Sequence, residues 1–216
     1  MPNWLDACID LSHWNNAGDP IDWSWVDPAI VLVFAKATQG GKRDPQHANN
    51  RAGCYATGRM FIPYDFLDGS SRDAQVAAFR PYLVKGLPFM LDWEGRAAQT
   101  ASPVDAEYIG KQLEVVAGRP PLGYWGIAGS TPARPTPAMA AWPRFVPRYP
   151  VADAGSLTDL SANVLTRMAA DDELATAAFW QYTSAGKVGG IVGAVDRSVW
   201  NGTLGELRAW YDGAAS

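Results

Sequence analysis

Short apolar segments alternate along the chain with longer segments in which apolar residues recur at helical spacing. Short apolar runs bounded by turn residues are typical of buried strands, and their alternation with helices favours a parallel sheet wound by crossover helices. The pattern predicts strands at residues 7–11, 30–37, 58–64, 87–93, 122–125, 144–148, 177–182 and 191–196.

Helical patterns fill most of the intervals between these strands. We predict helices at residues 44–56, 71–85, 103–117 and 203–211. The third has the clearest ends, because Ser102 is a favoured N-cap residue and Gly118 favours a left-handed stop. Prolines interrupt residues 131–151 and leave room for one short helix, while residues 152–176 are polar with a weaker helical pattern.

The order of these elements predicts an α/β fold. Strands with helical crossovers come first and more tightly joined strands come last, which indicates a TIM-like barrel that is irregular at its end. The even spread of apolar residues and the absence of a low-complexity linker predict a single domain, residues 1–216. In barrels of this kind the active site lies at the carboxyl ends of the strands.

Composition narrows the function classes. A net charge of −4 without a basic run argues against nucleic acid as a partner and against attachment to an anionic membrane. The sequence has neither a signal-peptide pattern at its start nor an apolar stretch of about 18 residues, so we expect no membrane insertion and synthesis in the cytoplasm. The Cys and His residues have no metal-site spacing, and we expect neither metal nor cofactor.

The end of the fourth predicted strand carries the strongest chemical pattern. Asp92 and Glu94 follow an apolar run and are separated by Trp93. Because side chains alternate across a strand, the two carboxylates should point to the same side, about 7 Å apart along the backbone, and Trp93 to the other. This arrangement fits acid/base chemistry, although two carboxylates that merely solvate the strand end remain an alternative.

Two further acids close predicted strands, Asp10 in the first and Asp196 in the last. Carboxylates that converge on a cleft raise one another's pKa, and burial against aromatic rings raises it further. One carboxyl can then remain protonated as a general acid while its neighbour stays ionised, which is the division of labour in glycoside hydrolysis. The many aromatic residues add a weaker indication of carbohydrate binding, because sugar faces stack on such rings.

Several motifs along the chain resemble those of a known protein family. The chain resembles the Chalaropsis-type lysozymes, glycoside hydrolase family 25, over nearly its whole length. The motifs that carry it, in order, are Ile9-Asp10-Leu11-Ser12-His13-Trp14, Ile21-Asp22-Trp23, Phe34-Ala35-Lys36-Ala37-Thr38-Gln39-Gly40, Tyr64-Asp65-Phe66, Leu91-Asp92-Trp93-Glu94, Phe179-Trp180-Gln181-Tyr182 and Val195-Asp196.

The resemblance implies an irregular (β/α)5(β)3 barrel that cleaves the β-1,4 bond between N-acetylmuramic acid and N-acetylglucosamine in peptidoglycan. It implies that Glu94 protonates the leaving oxygen and that Asp92 holds the substrate's N-acetyl group as its carbonyl attacks the anomeric carbon. Asp10 and Asp196 would complete the acidic cleft. Direct attack by Asp92 remains an alternative route.

The resemblance also implies a substrate-binding set. Its expected members are Lys36, Tyr64, Asp65, Trp125, Trp142, Trp180, Gln181 and Tyr182. Asp65 stands where the family usually has His, and we expect it to add an acid to the rim or to hydrogen-bond the sugar. Lys36 is expected to pair with an acid inside the barrel, and the tryptophans either stack on sugars or pack in the core.

The expected partner is the glycan strand of peptidoglycan, bound by a monomer without a separate wall-binding domain. We expect a phage endolysin, made in the host cytoplasm and acting on the bacterial wall once the membrane is breached. A bacterial lysozyme exported by another route and a lytic component of a virion are other settings. The alternative function is a peptidoglycan-binding module that kept the barrel and lost catalysis.

Overall fold

Eight strands close into a barrel in the computed structural model, which describes residues 3–94, 100–126 and 134–213, except the side chains of residues 17 and 18. With the short β3 outside the barrel, the strands of the described residues are β1 Trp4–Leu11, β2 Leu32–Gln39, β3 Lys42–Arg43, β4 Met60–Phe66, β5 Met90–Asp92, β6 Leu122–Tyr124, β7 Arg144–Pro147, β8 Phe179–Gly186 and β9 Val195–Asn201. Around the barrel the order is β1-β2-β4-β5-β6-β7-β8-β9, and β9 pairs with β1. The short β3 pairs with β2 at the barrel's edge.

The predicted irregular α/β barrel is confirmed. Within the barrel, the pairings that run from β1 through β2 and β4 to β8 are all parallel, whereas β9 runs antiparallel to both of its neighbours. The first connection, between β1 and β2, contains the 3-10 turn Asn15–Gly18 in place of an α-helix.

Helices cover the outside of the barrel. They are α1 His47–Ala56, α2 Arg72–Phe79, α3 Pro103–Ala117, α4 Ala162–Ala169, α5 Asp172–Ala175 and α6 Leu204–Tyr211. The expected ends of α3 are confirmed, since the Ser102 side chain accepts from the Asp105 N–H and Gly118 adopts φ +73°. None of the helices in the described ranges has both the length and the apolar character needed to cross a bilayer.

The last predicted strand, residues 191–196, is wrong in its position. The structure begins this strand at Val195 and continues it through polar residues to Asn201. Segment 195–201 forms a strand because it pairs with β1 on one side and with β8 on the other. The side chain of Arg197 points outward and forms an ion pair with Asp6 at 2.9 Å. Asp196 therefore starts a strand instead of ending one. Because β9 is antiparallel, its start still lies at the carboxyl ends of the other strands.

Side-chain alternation divides the barrel into an apolar interior and a polar top layer. The interior is filled by residues from nearly every strand, including Cys8, Phe34, Ile62, Met90, Phe145 and Phe179. One inward position further along their strands lie Asp10, Lys36, Tyr64, Asp92 and Gln181. The fold thus sets a ring of polar groups on an apolar floor.

Close packing of the outer layer is visible where α1 meets the β1–β2 connection. Gly53 of α1 lies against the indole of Trp23, a side chain buried with Ile9, Val33 and Phe61. A Cβ at residue 53 would lie 2.0 Å from the Trp23 ring. The contact therefore leaves no room for a larger residue.

We predict that Gly53→Ala lowers the free energy of unfolding by about 1–3 kcal/mol, because the added methyl displaces Trp23. In the matched change Gly205→Ala in α6, the new Cβ would lie 3.9 Å from Thr203 Oγ1, an ordinary van der Waals contact. It should raise stability by about 0.5–1 kcal/mol through the better helix propensity of Ala. Urea unfolding at neutral pH measures both, and a stabilising Gly53→Ala would contradict the packing described.

Candidate active site

Four carboxyl side chains meet in the polar layer at the carboxyl ends of the parallel strands. Asp10 of β1 lies directly opposite Asp196 of β9 in the strand register. Asp92 ends β5, beside Tyr124 of β6, and Glu94 follows two residues later. Asp10 and Asp92 are buried, Asp196 and Glu94 partly exposed. Sequence reasoning expected these four acids at one rim, and the structure brings them together.

Trp93 points away from the acids on either side of it. Its indole N–H donates to the Ala101 carbonyl at 2.8 Å, and its ring packs against Trp125 in the layer between barrel and helices. Asp92 and Glu94 consequently share the cleft side. Asp92 Oδ1 is buried without a hydrogen-bond partner among the described residues, so it is an unused acceptor in the cleft.

Burial and mutual repulsion raise the proton affinity of these acids. Burial raises the pKa of Asp92 well above its usual value, and the charges of Glu94 and Asp10 raise it further. The pKa of Asp10 is likewise well raised, by burial and by Asp196. Burial and the charge of Glu94 raise the pKa of Asp196 to about 6. The cleft therefore retains protons at pH values where exposed carboxyls are ionised.

Lys36 supplies positive charge to this cleft. Its ammonium lowers the pKa of Asp10, Asp92 and Asp196, opposing their burial. The expected ion pair with an acid inside the barrel is absent from the described residues. Instead Nζ donates to the neutral Gln39 side chain at 3.2 Å and lies 5.0 Å from the centre of the Phe66 ring. Lys36 thus acts on the acids through its field, not through contact.

A pair of tyrosines orients Gln181. Its Oε1 accepts from the Tyr124 hydroxyl at 2.7 Å and from the Tyr149 hydroxyl. The Gln181 amide nitrogen has no acceptor among the described residues and is left as a donor for a ligand. Sequence reasoning included Gln181 but missed Tyr124 and Tyr149. Their position at or just beyond the carboxyl ends of β6 and β7 was the signal that could have found them.

Tyr64 lies in the cleft as expected. Its hydroxyl is beside Asp10, whose pKa it lowers, and burial raises its own pKa. Tyr64 therefore lies next to Asp10, which is opposite Asp196 in the register of β1 and β9.

Four other expected substrate-binding residues do not reach the cleft. Trp125 and Trp142 pack edge to face with ring centres 6.1 Å apart, beneath α3. Trp180 donates to the Arg148 carbonyl at 2.7 Å, and the Tyr182 hydroxyl donates to Asp6 at 3.0 Å. Alternation in β8 turns both of these outward, because Gln181 between them points inward. All four pack within the protein, which for Trp125, Trp142 and Trp180 is the second of the two roles expected from the sequence.

Asp65 also departs from its expected role at the rim. It follows the inward Tyr64 in β4 and therefore points outward, where it is fully buried and accepts from Thr38 Oγ1 at 2.6 Å. Its Oδ2 has no partner among the described residues. Burial raises the pKa of Asp65 to about 7. It is a buried acid behind the cleft wall, not a fifth acid in the cleft.

Comparison with known proteins identifies the family of this chain. The sequence profile of Glycosyl hydrolases family 25 matches residues 9–191. The uncharacterized protein YegX of Escherichia coli (strain K12) is 30% identical over 226 residues, which cover 95% of this chain and 73% of that protein. Lysozyme M1 of Streptomyces globisporus is 25% identical, covering 93% and 69% respectively.

A solved structure has the same fold. The bacterial lysozyme from Streptomyces coelicolor superposes with a TM-score of 0.71 at 24% identity, over 96% of this chain and 97% of that one. The barrel with its rim of acids and the family match define the class of this protein, a glycoside hydrolase. The chain belongs to glycosyl hydrolases family 25.

We predict that Asp65→Asn makes the protein more stable at alkaline pH and leaves it nearly unchanged at acid pH. With a folded pKa of about 7 and an unfolded value near 3.8, the native state binds the extra proton between these pH values. Its stability therefore falls as pH rises through that window. The variant lacks this loss and should gain up to about 4 kcal/mol above pH 7.

Urea unfolding at pH 4 and pH 8 tests this difference. Asp153→Asn, the same change at an exposed aspartate, provides the baseline. If Asp65→Asn changed the free energy of unfolding by the same amount at both pH values, Asp65 would not hold a proton in the native state.

Proposed function

We propose that this protein is an N-acetylmuramidase that cleaves the β-1,4 bond between N-acetylmuramic acid and N-acetylglucosamine in peptidoglycan. The observation that carries the proposal is the meeting of Asp92 and Glu94 with Asp10 and Asp196 at one rim of a family 25 barrel. The lysozyme names of its relatives from two Streptomyces species agree with this bond and substrate.

Glu94 is the proposed general acid. Its side chain is partly exposed and lies next to the buried Asp92, so it can reach a glycosidic oxygen bound in the cleft. It would donate its proton to the leaving oxygen as the bond to the anomeric carbon breaks. It would then accept a proton from the water that completes hydrolysis.

Asp92 is the proposed partner of the substrate's acetamido group. Its unpartnered Oδ1 is suited to accept the acetamido N–H, which turns the acetamido carbonyl oxygen towards the anomeric carbon. That oxygen would form the new bond as the leaving group departs, and water would later open the resulting ring. The raised pKa of Asp92 makes its ionised form a strong acceptor.

Direct attack by Asp92 on the anomeric carbon is the alternative mechanism. It would leave a glycosyl ester on Asp92, whereas the substrate-assisted route leaves the enzyme unmodified. The burial of Asp92 favours the substrate-assisted route, because a nucleophile must reach the anomeric carbon itself.

The proposed setting is that of a phage endolysin, made in the host cytoplasm. A wall hydrolase held there would reach its substrate only after the membrane is breached. Release of a finished enzyme then determines the time of lysis.

We predict that Glu94→Gln keeps the fold and lowers the rate of wall lysis by at least about a hundredfold, the usual scale for losing a general acid. Turbidity clearance of peptidoglycan measures the rate, and thermal unfolding checks the fold. Glu114→Gln on the outer helix α3 is the matched control and should lyse like the wild type. Undiminished clearance by Glu94→Gln would remove Glu94 from the mechanism, and an inactive wild type would favour a binding module.

We predict that digested peptidoglycan yields fragments that end in a reducing muramic acid, since the bond on that side is the one cleaved. Mass spectrometry of borohydride-reduced products identifies the reduced sugar. Reducing-end glucosamine or freed peptides would indicate a different hydrolase. The same instrument would detect a glycosyl ester on Asp92 if direct attack occurred.

A further inference from the structure

A second cavity adjoins the acidic cleft. It encloses about 300 Å³ and is lined by His13, Lys36, Gln39, Lys42, Arg43, Asp44, Pro45 and Asp68. Lys36 belongs to both places, since its ammonium also acts on the acids of the cleft. The cavity is therefore within reach of a ligand bound in the cleft.

The β2–β3 hairpin holds the cations of the cavity in place. Its turn residues Gly40 and Gly41 adopt φ +57° and +88°, as a tight two-residue hairpin turn requires. The register sets Lys42 directly opposite Gln39, so both share one face of the hairpin. Because Gln39 also accepts from Lys36, two ammonium groups flank one neutral side chain.

The acids of the cavity are already engaged by the protein. Asp44 accepts from the backbone and ring nitrogens of His13, at 3.0 and 2.8 Å, and from the Gln46 N–H. Asp68 accepts from the Ser70 N–H at 2.8 Å. These two aspartates keep their negative charges, but the three cations of the lining outnumber them. The Lys42 side chain has no ion pair or hydrogen bond among the described residues, and the only hydrogen-bond partner of the Lys36 ammonium there is the uncharged Gln39.

The chemistry of this cavity selects an anion. Lysine and arginine donors bind carboxylates, and arginine does so with a planar fork. The cavity is large enough for a small substituent and too small for a second glycan strand. Muramic acid is the substrate sugar that carries an acidic substituent. This substituent is a lactyl carboxylate when unmodified, or a stem peptide with its own carboxylates.

We propose that this cavity binds a carboxylate on the substituent of the muramic acid unit through Lys36, Lys42 and Arg43. The inference rests on the proposed function and extends it from the bond that is cleaved to the substituent that is recognised. The positive cavity offsets the repulsion that the acidic cleft exerts on an anionic substrate.

Calorimetry with soluble peptidoglycan fragments tests the inference without cleavage, in the Glu94→Gln background. The double variant Lys42→Gln/Arg43→Gln should raise the Kd of carboxylate-bearing fragments about tenfold, since each exposed ion pair contributes modestly. It should leave unchanged the Kd of the same fragments after their carboxyls are converted to amides. Gln39→Glu, which places a competing carboxylate beside Lys36, should also raise the first Kd and not the second.

The control Lys85→Gln/Arg208→Gln removes the same charge from the opposite end of the barrel and should change neither Kd. Fragments with stem peptides carry carboxylates only on the peptide, whereas peptide-free fragments carry only the lactyl carboxylate. The fragment with the larger change therefore identifies the source.

An equal rise in Kd on amidated fragments would overturn the inference, and so would a rise no larger than that of the control pair. Failure of the wild-type protein to cleave any fragment would instead refute the proposed function. The two results are separable, because the Kd values are measured with the cleavage-deficient variant.

Discussion

The structure depends on one constraint, the two-residue alternation of side chains in a closed barrel. In-register strands bring their inward positions at one end of the barrel into a single layer, and here that layer holds Asp10, Asp92 and Asp196. Below it the floor is aromatic, with Phe34 and Phe179 edge to face at 5.2 Å. An apolar floor and like neighbours both favour the protonated carboxyl. The features that make the acids chemically useful are therefore the same ones that make them unfavourable to bury.

Ion pairs on the outer face of the barrel offset the unfavourable burial of these acids. Arg197, next to Asp196 but facing outward, pairs with Asp6, which also accepts from Tyr182. Arg148 pairs with Asp171 at 2.7 Å beyond the end of β7. These partly buried pairs tie the irregular last third of the barrel to β1 and α5. The strands that carry Asp196 and Gln181 are thereby held without using the cleft residues themselves.

Alternation also explains how much the sequence could predict. It placed Asp92 and Glu94 on one side and Trp93 on the other, because that inference used spacing within one strand. Motif resemblance supplied Asp65, Trp180 and Tyr182 as neighbours of the site but not the side of the sheet on which each lies. Applying the same spacing from Tyr64 and Gln181 would have turned all three outward.

The prediction of a strand at residues 191–196 was wrong for a different reason. Its apolar run is interrupted by Gly193, whereas the true strand contains Asp196, Arg197 and Ser198. A polar strand between two neighbours is specified by pairing partners distant in sequence, which local hydropathy does not contain. The acid was nevertheless placed at the correct rim, because the start of an antiparallel strand meets the ends of parallel ones.

Charge is separated along the rim, with acids on β1, β5 and β9 and cations on the β2–β3 hairpin. Lys36 lies between them and stabilises the ionised forms of Asp10, Asp92 and Asp196. An anion bound to Lys36 would weaken that stabilisation and shift the acids towards their protonated forms. Recognition of a carboxylate in the cavity would therefore change the charge of these three aspartates. In this arrangement one lysine links the electrostatics of substrate binding to the three aspartates that lie around Glu94.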